Sequence, residues 1–511
     1  MASPGDRRSP PPVAPPTAEE RRLDPRSILV QPLQQVGGLL PVVAVYLVLR
    51  RADLNVVELV TAVVVAVPML GASAVRWLRF RYRIVNDRLE VREGLLALRH
   101  RVMPLDRIRG VDIKAGLAHR LVGVAAVEID AAETGGTQAA VSLDAVSWTE
   151  ARSLRGELLR RRGAALDTGT DAGPAGDAAT DASAVTTLLR MPARWLLYAP
   201  CFGSLLAAGP AAAGALFSVA AQAGLLPDDE EGVTVVVENS WSADWWWLGP
   251  LVVLVAIVAS VLAAIIAAAL RFYGWTVEDH GGDLTIERGL ITRRTVGLER
   301  VRLRGFSLAE PLLGRPLRVG RLTAVLSGLD GDDRSTLVPL APQADARRLA
   351  AALLPDAVPP IIGASDDRTI AHPRAALRRR LIRTVAPAGA ALIATTVWPS
   401  PWLAGGTVLL AGLGAAYAFD LSRALRHGLD DQRLAVRRGS LVRRTDAVRR
   451  LPPIGFTLRQ TFFQRRAGLA TVDVAMAAGK PIRVADLDAA GAADLAARLL
   501  PTIVEPLRTR S

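Results

Sequence analysis

The sequence predicts a membrane α-helical protein with six spans in three hairpins, carrying three cytoplasmic modules of β-sheet or barrel form, each closed by a C-terminal helix. Three observations lead there. Half of the 511 residues are hydrophobic while aromatics make up only 5%, an excess carried by Ala, Val and Leu that suits a bilayer-embedded chain. Charge-poor stretches near the roughly 20 residues needed to cross a hydrocarbon core occur in three pairs. After each pair the same order of glycine-centred hairpin, further strands and amphipathic helix returns.

The first 26 residues, with PPPVAPP at Pro10–Pro16, show no periodic apolar pattern and are expected to be disordered. No apolar core follows the early arginines closely and no small-residue cleavage site is visible, so the first span is expected to be a retained anchor. Span pair one occupies 33–75, as Leu33–Leu49 and Val56–Val75. Span pair two occupies 195–270, as Trp195–Leu226 and Trp247–Leu270, around the acidic outer segment DDEEGVTVVVENSWSADW. Span pair three occupies 381–420, as Thr384–Trp398 and Trp402–Phe419. Arginine-rich flanks such as WLRFRYR at Trp77–Arg83 and LRRRLIR at Leu377–Arg383 fall on one side of every pair, which places both termini and the modules in the cytoplasm and makes this a multi-pass plasma-membrane protein. Trp77, Trp195, Tyr198 and Trp275 are then expected in the inner aromatic belt, and Trp245, Trp246, Trp247, Trp398 and Trp402 in the outer one.

The modules span 77–162, 271–355 and 422–503, with linkers at 163–187 and 356–373. They open RLEVREGLLALRHRVMPLDRIRGVDI at Arg88, DLTIERGLITRRTVGLERVRLRGFSL at Asp283 and RLAVRRGSLVRRTDAVRRLPPIGFTL at Arg433. Alignment on Gly94, Gly289 and Gly439 puts an alternating strand on either side of a turn whose glycine accepts positive φ. Next comes a recurring phrase, GLAHRLVGVAAVEI at Gly116–Ile129 and TFFQRRAGLATVDV at Thr461–Val474, read as a connecting turn entering a strand. The middle copy, LLGRPLRVGRLTAVLS from Leu312, departs from it. WTEARSLRGELLRR, QADARRLAAALLP and AAGAADLAARLLP close the modules with helical apolar spacing.

This order, repeated three times and each time after a span pair, resembles bacterial membrane proteins with three pleckstrin-homology-like (PH-like) domains of the bPH2 type, also called DUF304. The resemblance runs from about Leu33 to Pro501. It implies PH-like modules on a membrane, a smaller PH-like membrane paralogue or self-association as partner, and a role in envelope stress or resistance to antimicrobial peptides.

Chemistry of other kinds finds little footing in the sequence. Motifs for phosphate loops, zinc proteases and serine hydrolases are absent, and His100, His119, His280, His372 and His427 are scattered without metal-ligand spacing. Neither an enzyme nor a cofactor is expected, and the single cysteine, Cys201, permits no intrachain disulfide. The net charge of +13 sits in arginines that flank apolar runs and not on one aromatic-interleaved face, which argues against nucleic acid. A lipid or peptide transporter is the alternative, against which stands the lack of ionisable residues near the span centres. The expected function is a non-enzymatic membrane scaffold that binds anionic lipid headgroups or protein partners. The candidate contact residues are Arg99, Arg101, Arg293, Arg294, Arg443 and Arg444 beside the hairpins, and Phe462, Phe463, Arg465 and Arg466 in the third phrase.

Overall fold

A computed structural model describes residues 21–30, 33–34, 56–85, 88–93, 99–105, 108–131, 139–167, 185–202, 248–281, 283–327, 335–355, 370–394, 401–430, 433–449, 455–475 and 481–499. These divide into two compact units, Met1–Asp181 with Thr292–Arg294, and Ala182–Ile291 with Thr295–Ser511.

The first unit contains β1 (Arg21–Arg22), α1 (Val56–Arg79), β2 (Arg81–Val85), β3 (Arg88–Glu93) and β4 (Arg99–Pro104), the strands forming one antiparallel sheet in that order. Period-two alternation turns Tyr82, Leu89, Val91 and Met103 inward, while Arg83 and Glu90 pair outside at 2.6 Å. β5 (Ile108–Ala115), α2 (Leu117–Val122), β6 (Val124–Ala131) and β7 (Ala139–Ser147) follow, and α3 (Trp148–Asp167) closes the module. Ala151, Leu154 and Leu158, on one face of α3, are fully buried against Ile113, Ile129 and Leu143. Residues 21–26, expected to be disordered, are ordered here: β1 pairs with β2 and Leu23 enters the core.

The second unit starts with β8 (Thr186–Arg190), a 3-10 helix (Ala193–Cys201), α4 (Leu248–Phe272), β9 (Thr276–Asp279), β10 (Asp283–Arg288) and β11 (Arg293–Glu299), whose first two residues belong to the first unit. β12 (Leu303–Pro311), β13 (Val319–Leu326), β14 (Thr336–Pro342) and α5 (Gln343–Leu353) complete the middle module. Then come β15 (Ile370–Ala371), α6 (Arg374–Ala394), α7 (Pro401–Ala424), β16 (Arg426–Leu429), β17 (Arg433–Arg438) and β18 (Val442–Arg449). β19 (Gly455–Arg459), α8 (Phe462–Arg466), β20 (Leu469–Ala475), β21 (Ile482–Asp488) and α9 (Ala489–Leu499) end the fold. The turn glycines behave as expected where described, with φ of 105° at Gly289 and 94° at Gly439, and Gly94 lies outside the described residues.

The second and third modules share a sheet. Its order is β14-β13-β12-β18-β17-β16-β15, so the last strands of one module pair with the first strands of the next through β12 and β18. Pairing removes two edges that would otherwise expose unbonded backbone. The strands approach closely at Gly305, where an added Cβ would lie 2.2 Å from the Ala447 carbonyl oxygen.

The expectation of six spans in three hairpins is overturned. The described residues are organised as sheet-based modules on four sheets, and among them two helical segments, Leu254–Phe272 and Leu403–Ala424, are long and apolar enough to cross a bilayer. The physical reason is that hydropathy counts apolar residues without knowing what they pack against. The expected span from Trp195 begins as a 3-10 helix whose Trp195, Leu196 and Ala199 belong to a β-module core, and its remainder beyond Phe202 lies outside the described residues. The expected span from Thr384 is the end of α6, whose first half carries Arg374, Arg378, Arg379, Arg380 and Arg383, and residues 395–400 are outside the described set. Most of Leu33–Leu49 is likewise outside it, and α1 does not number among the two helices.

The inner aromatic belt is corrected for the same reason. Trp275 is completely buried, its Nε1 donates to the Leu337 carbonyl at 2.8 Å, and Arg288 stacks over its ring at 5.0 Å. Trp77 and Tyr198 also pack on module cores. Of the outer set, Trp245, Trp246, Trp247 and Trp398 lie outside the described residues, and the Trp402 side chain is undescribed.

The crossing at Gly305 yields a test. Gly305→Ala should lower the stability of the detergent-solubilised chain by about 1–3 kcal/mol in thermal unfolding, the usual range for overpacking. Gly455→Ala, at the matching position of the third module where nothing lies within 4 Å, should be close to neutral.

Candidate functional site: three apolar turns

The phrase TFFQRRAG folds as a capped turn. Thr461 caps α8 through its side chain, accepting from the Gln464 amide at 3.4 Å, while Gln464 Oε1 accepts from the Thr461 amide at 3.0 Å. Gly468, at φ 65°, turns the chain into β20. In so short a helix only one direction faces the module, and Gln464 takes it. Its Nε2 donates to Thr471 Oγ1 and to Asp486 Oδ1, both at 2.9 Å. Phe462 and Phe463 are left 63% and 70% exposed, edge to face at 5.5 Å, with Arg465 and Arg466 exposed beside them.

Asp486 anchors this arrangement. It is 2% exposed and has φ 58°, at a register shift of the β20–β21 ladder, three residues before α9. A bulge of this kind re-aims a side chain, and here it meets α6. Arg380 donates to Oδ2 from Nη2 at 2.7 Å and from Nε at 3.1 Å, and Arg379 bonds Oδ1. Two arginines read from the sequence as a flank obeying charge bias are therefore half-buried partners of one buried carboxylate.

The other phrases repeat the plan with different residues. In the first, Leu117 and Leu121 of α2 are 53% and 78% exposed, whereas His119 is buried and its Nδ1 accepts from Gln34 Nε2 at 3.2 Å. Burial holds the His119 imidazole below its usual range, so it is neutral. In the middle copy Leu312 and Leu313, on a 3-10 turn, are 46% and 56% exposed, and the following Arg315 donates from Nη1 to both oxygens of Asp420 near the end of α7, at 3.1 and 3.3 Å. Each turn thus presents two bulky apolar side chains outward and fixes one polar side chain inward; in the second module the partner, Asp420, stands near the end of α7, and in the third Asp486 links Gln464 to the base of α6.

Of the predicted contact residues, the structure gathers Phe462, Phe463, Arg465 and Arg466 on one element and scatters the rest. Arg101, Arg293 and Arg444 are exposed on β4, β11 and β18, and the Arg99 side chain is undescribed. Arg294 is drawn in to Asp112 at 3.3 Å and Arg443 to Asp420 at 2.9 Å. Sequence reasoning missed Leu117, Leu121, Leu312 and Leu313, together with Gln464, Asp486, Arg315 and Asp420. The T-x-x-Q spacing of a capping box in TFFQ was the available signal for α8.

A histidine pair lies beside the anchor. His427 Nδ1 and His372 Nε2 are 3.2 Å apart, on β16 and just ahead of α6. Burial, reinforced by His427, pushes His372 down to about 4, with the Ala485 carbonyl, Arg380 and Asp486 also facing it. A histidine depressed in the fold binds its proton more readily when unfolded, so it costs stability as pH falls from its ordinary value near 6.5 towards 4. The thermal midpoint should fall across that window, and His372→Asn should flatten the fall while leaving the pH 8 value nearly unchanged.

Comparison with known proteins places this architecture. The family model described as "Bacterial PH domain" matches residues 35–162, 225–357 and 381–502, well over half of the chain. The UPF0699 transmembrane protein YdbT of Bacillus subtilis (strain 168) is 26% identical over 152 residues, which are 28% of this chain and 30% of that relative. The chain therefore aligns with under a third of that protein's length, and no solved structure matches. With three matched segments, each ending in a helix-closed sheet, the chain belongs to the bacterial PH domain family.

Proposed function

We propose that this protein is a non-enzymatic, membrane-associated scaffold whose PH-like modules lay their apolar turns on the anionic face of the bilayer. The observation that carries this reading is the exposure of two bulky apolar side chains on each of three turns, next to Arg120, Arg318, and Arg465 and Arg466. A soluble surface scatters such residues singly. Their repetition at one place in three dissimilar phrases is a reason to assign each of them the same role.

Three further facts support it. The transmembrane name of the relative and the two apolar helices fit a membrane location. α4 and α7 both carry arginine in the last turn, Arg271 and Arg423, and both run directly into module strands, which favours modules on the cytoplasmic side. In the third module, Asp486 ties α8 to the base of α6, which packs beside α7. Inserting two phenylalanines and holding two arginines near anionic lipid offers on the order of 4–6 kcal/mol, enough to orient a module already tethered by a helix.

An environment-sensitive NBD label at Phe463→Cys, in a Cys201→Ala background of the full chain in nanodiscs, tests this. Its emission should shift to the blue with phosphatidylglycerol present, and doxyl lipids should quench it. Solvent-like emission in every lipid would contradict lipid contact, and a blue shift without doxyl quenching would assign the turn to a protein partner.

A further inference from the structure

Among the described residues β19 is an end strand, in a sheet of order β19-β20-β21. Its counterpart in the middle module, β12, has β18 on the corresponding side. The two strands match residue by residue: Gly305–Leu308 read GFSL, Gly455–Leu458 read GFTL, and each follows its turn glycine, Gly289 or Gly439, at the same distance. In β12, Phe306 and Leu308 are buried. In β19, Phe456 is half-buried and Leu458 is 49% exposed. Gly455 leaves open the space that the Ala447 carbonyl fills beside Gly305.

Protection typical of an edge is missing from β19. Natural sheets blunt exposed edges with proline, bulges, charges or very short strands. In the shared sheet, β14 carries Pro339 and Pro342 and meets β13 with two register shifts, while β15 at the other edge is two residues long. β19 has no proline, pairs with β20 in unbroken register and carries a single charge, Arg459, at its end. A tandem array whose last repeat lacks a cap is open to a further repeat.

The edge that would extend it occurs in the same sequence. β4 is the first module's counterpart of β18: Arg88 pairs with Pro104 as Arg433 pairs with Arg449, at matching distances from Gly94 and Gly439. Among the described residues β4 ends its sheet, and Val102 on it is 46% exposed. We infer that β19 of one chain adds to β4 of a second copy, repeating between chains the antiparallel step that joins β12 to β18 within one. Carrying over that register sets Phe456 opposite Val102, Thr457 opposite Arg101 and Leu458 opposite His100. Main-chain hydrogen bonds hold such a strand addition, and apolar cross-strand pairs set its register. The rung of Arg459 and Arg99 places like charges opposite each other, so salt strengthens the contact. Because the two edges differ, the contact is heterologous and builds rows or rings of chains instead of a closed pair. It uses strand edges and not the apolar turns, and so stands independently of the lipid contact proposed above.

Two full-length chains with different tags, both in a Cys201→Ala background, are co-reconstituted in liposomes, one carrying Thr457→Cys and the other Arg101→Cys. On mild oxidation the mixed pair should form a disulfide-linked dimer at least about five-fold more than either variant with itself, since directly opposed residues meet the geometry of the bond. Gly455→Ala in the first chain, expected to leave stability unchanged, should cut that dimer several-fold because the added methyl meets the partner backbone. Self-linking of Thr457→Cys as strong as the mixed dimer would assign β19 to a two-fold contact and overturn the proposal. Absence of any dimer, or a mixed dimer that Gly455→Ala leaves undiminished, overturns it as well.

Discussion

The buried carboxylate of Asp486 is the constraint on which the third module's geometry depends. Two guanidinium groups from α6 and the amide of Gln464 converge on it, so one side chain fixes both the helix base and the turn that carries Phe462 and Phe463. Burying a charge without partners is prohibitive, and removing one member of such a set leaves the rest exposed to the same penalty, about 3–5 kcal/mol. The bulge that gives Asp486 its left-handed backbone is therefore part of the anchor. The first module repeats the bulge: Ala145 has φ 65°, also three residues before the closing helix, and the preceding Asp144 accepts from Arg76 of α1 at 2.9 Å. There the pair is solvent-exposed, with both side chains more than 40% accessible, so its contribution is small.

From that anchor follows the orientation of the apolar turn. With Gln464 held inward, the helical spacing of α8 leaves its phenylalanines no interior to enter. In the first and middle copies His119 and Arg315 occupy the corresponding inward role, with chemically unrelated partners. The shared element is thus a division of labour, one polar residue in and two apolar residues out, which different side chains satisfy. The shared sheet adds a second constraint, since β12 and β18 cannot separate without exposing two edges.

Much of this was legible in the sequence. The glycine hairpins, the phrase as a turn leading into a strand and the closing helices all follow from local periodicity and from glycine's tolerance of positive φ, and these decided each module's core. What failed was inference from hydropathy alone. Trp195 and Trp275 read as interfacial aromatics but fill β cores, and Arg379 and Arg380 read as flank charges but saturate Asp486. Both errors have one origin, that composition records what a residue is and tertiary contact decides what it faces. The pairing of β12 with β18 was invisible for a related reason, because strands joined across modules leave no signature within either. The dissimilarity of the three phrases also hid the exposed leucines, since the fold keeps the exposure of these positions alike while their sequences differ.

The central claim is that Asp486 fixes the phenylalanine turn relative to α6. Pulsed electron resonance between spin labels at Phe463→Cys and Ile393→Cys, in a Cys201→Ala background in nanodiscs, measures it directly. The account predicts a single narrow distance distribution in the otherwise wild-type chain and a broad one in Asp486→Gly, which keeps the left-handed backbone but removes the carboxylate. An equally narrow distribution in Asp486→Gly would contradict it.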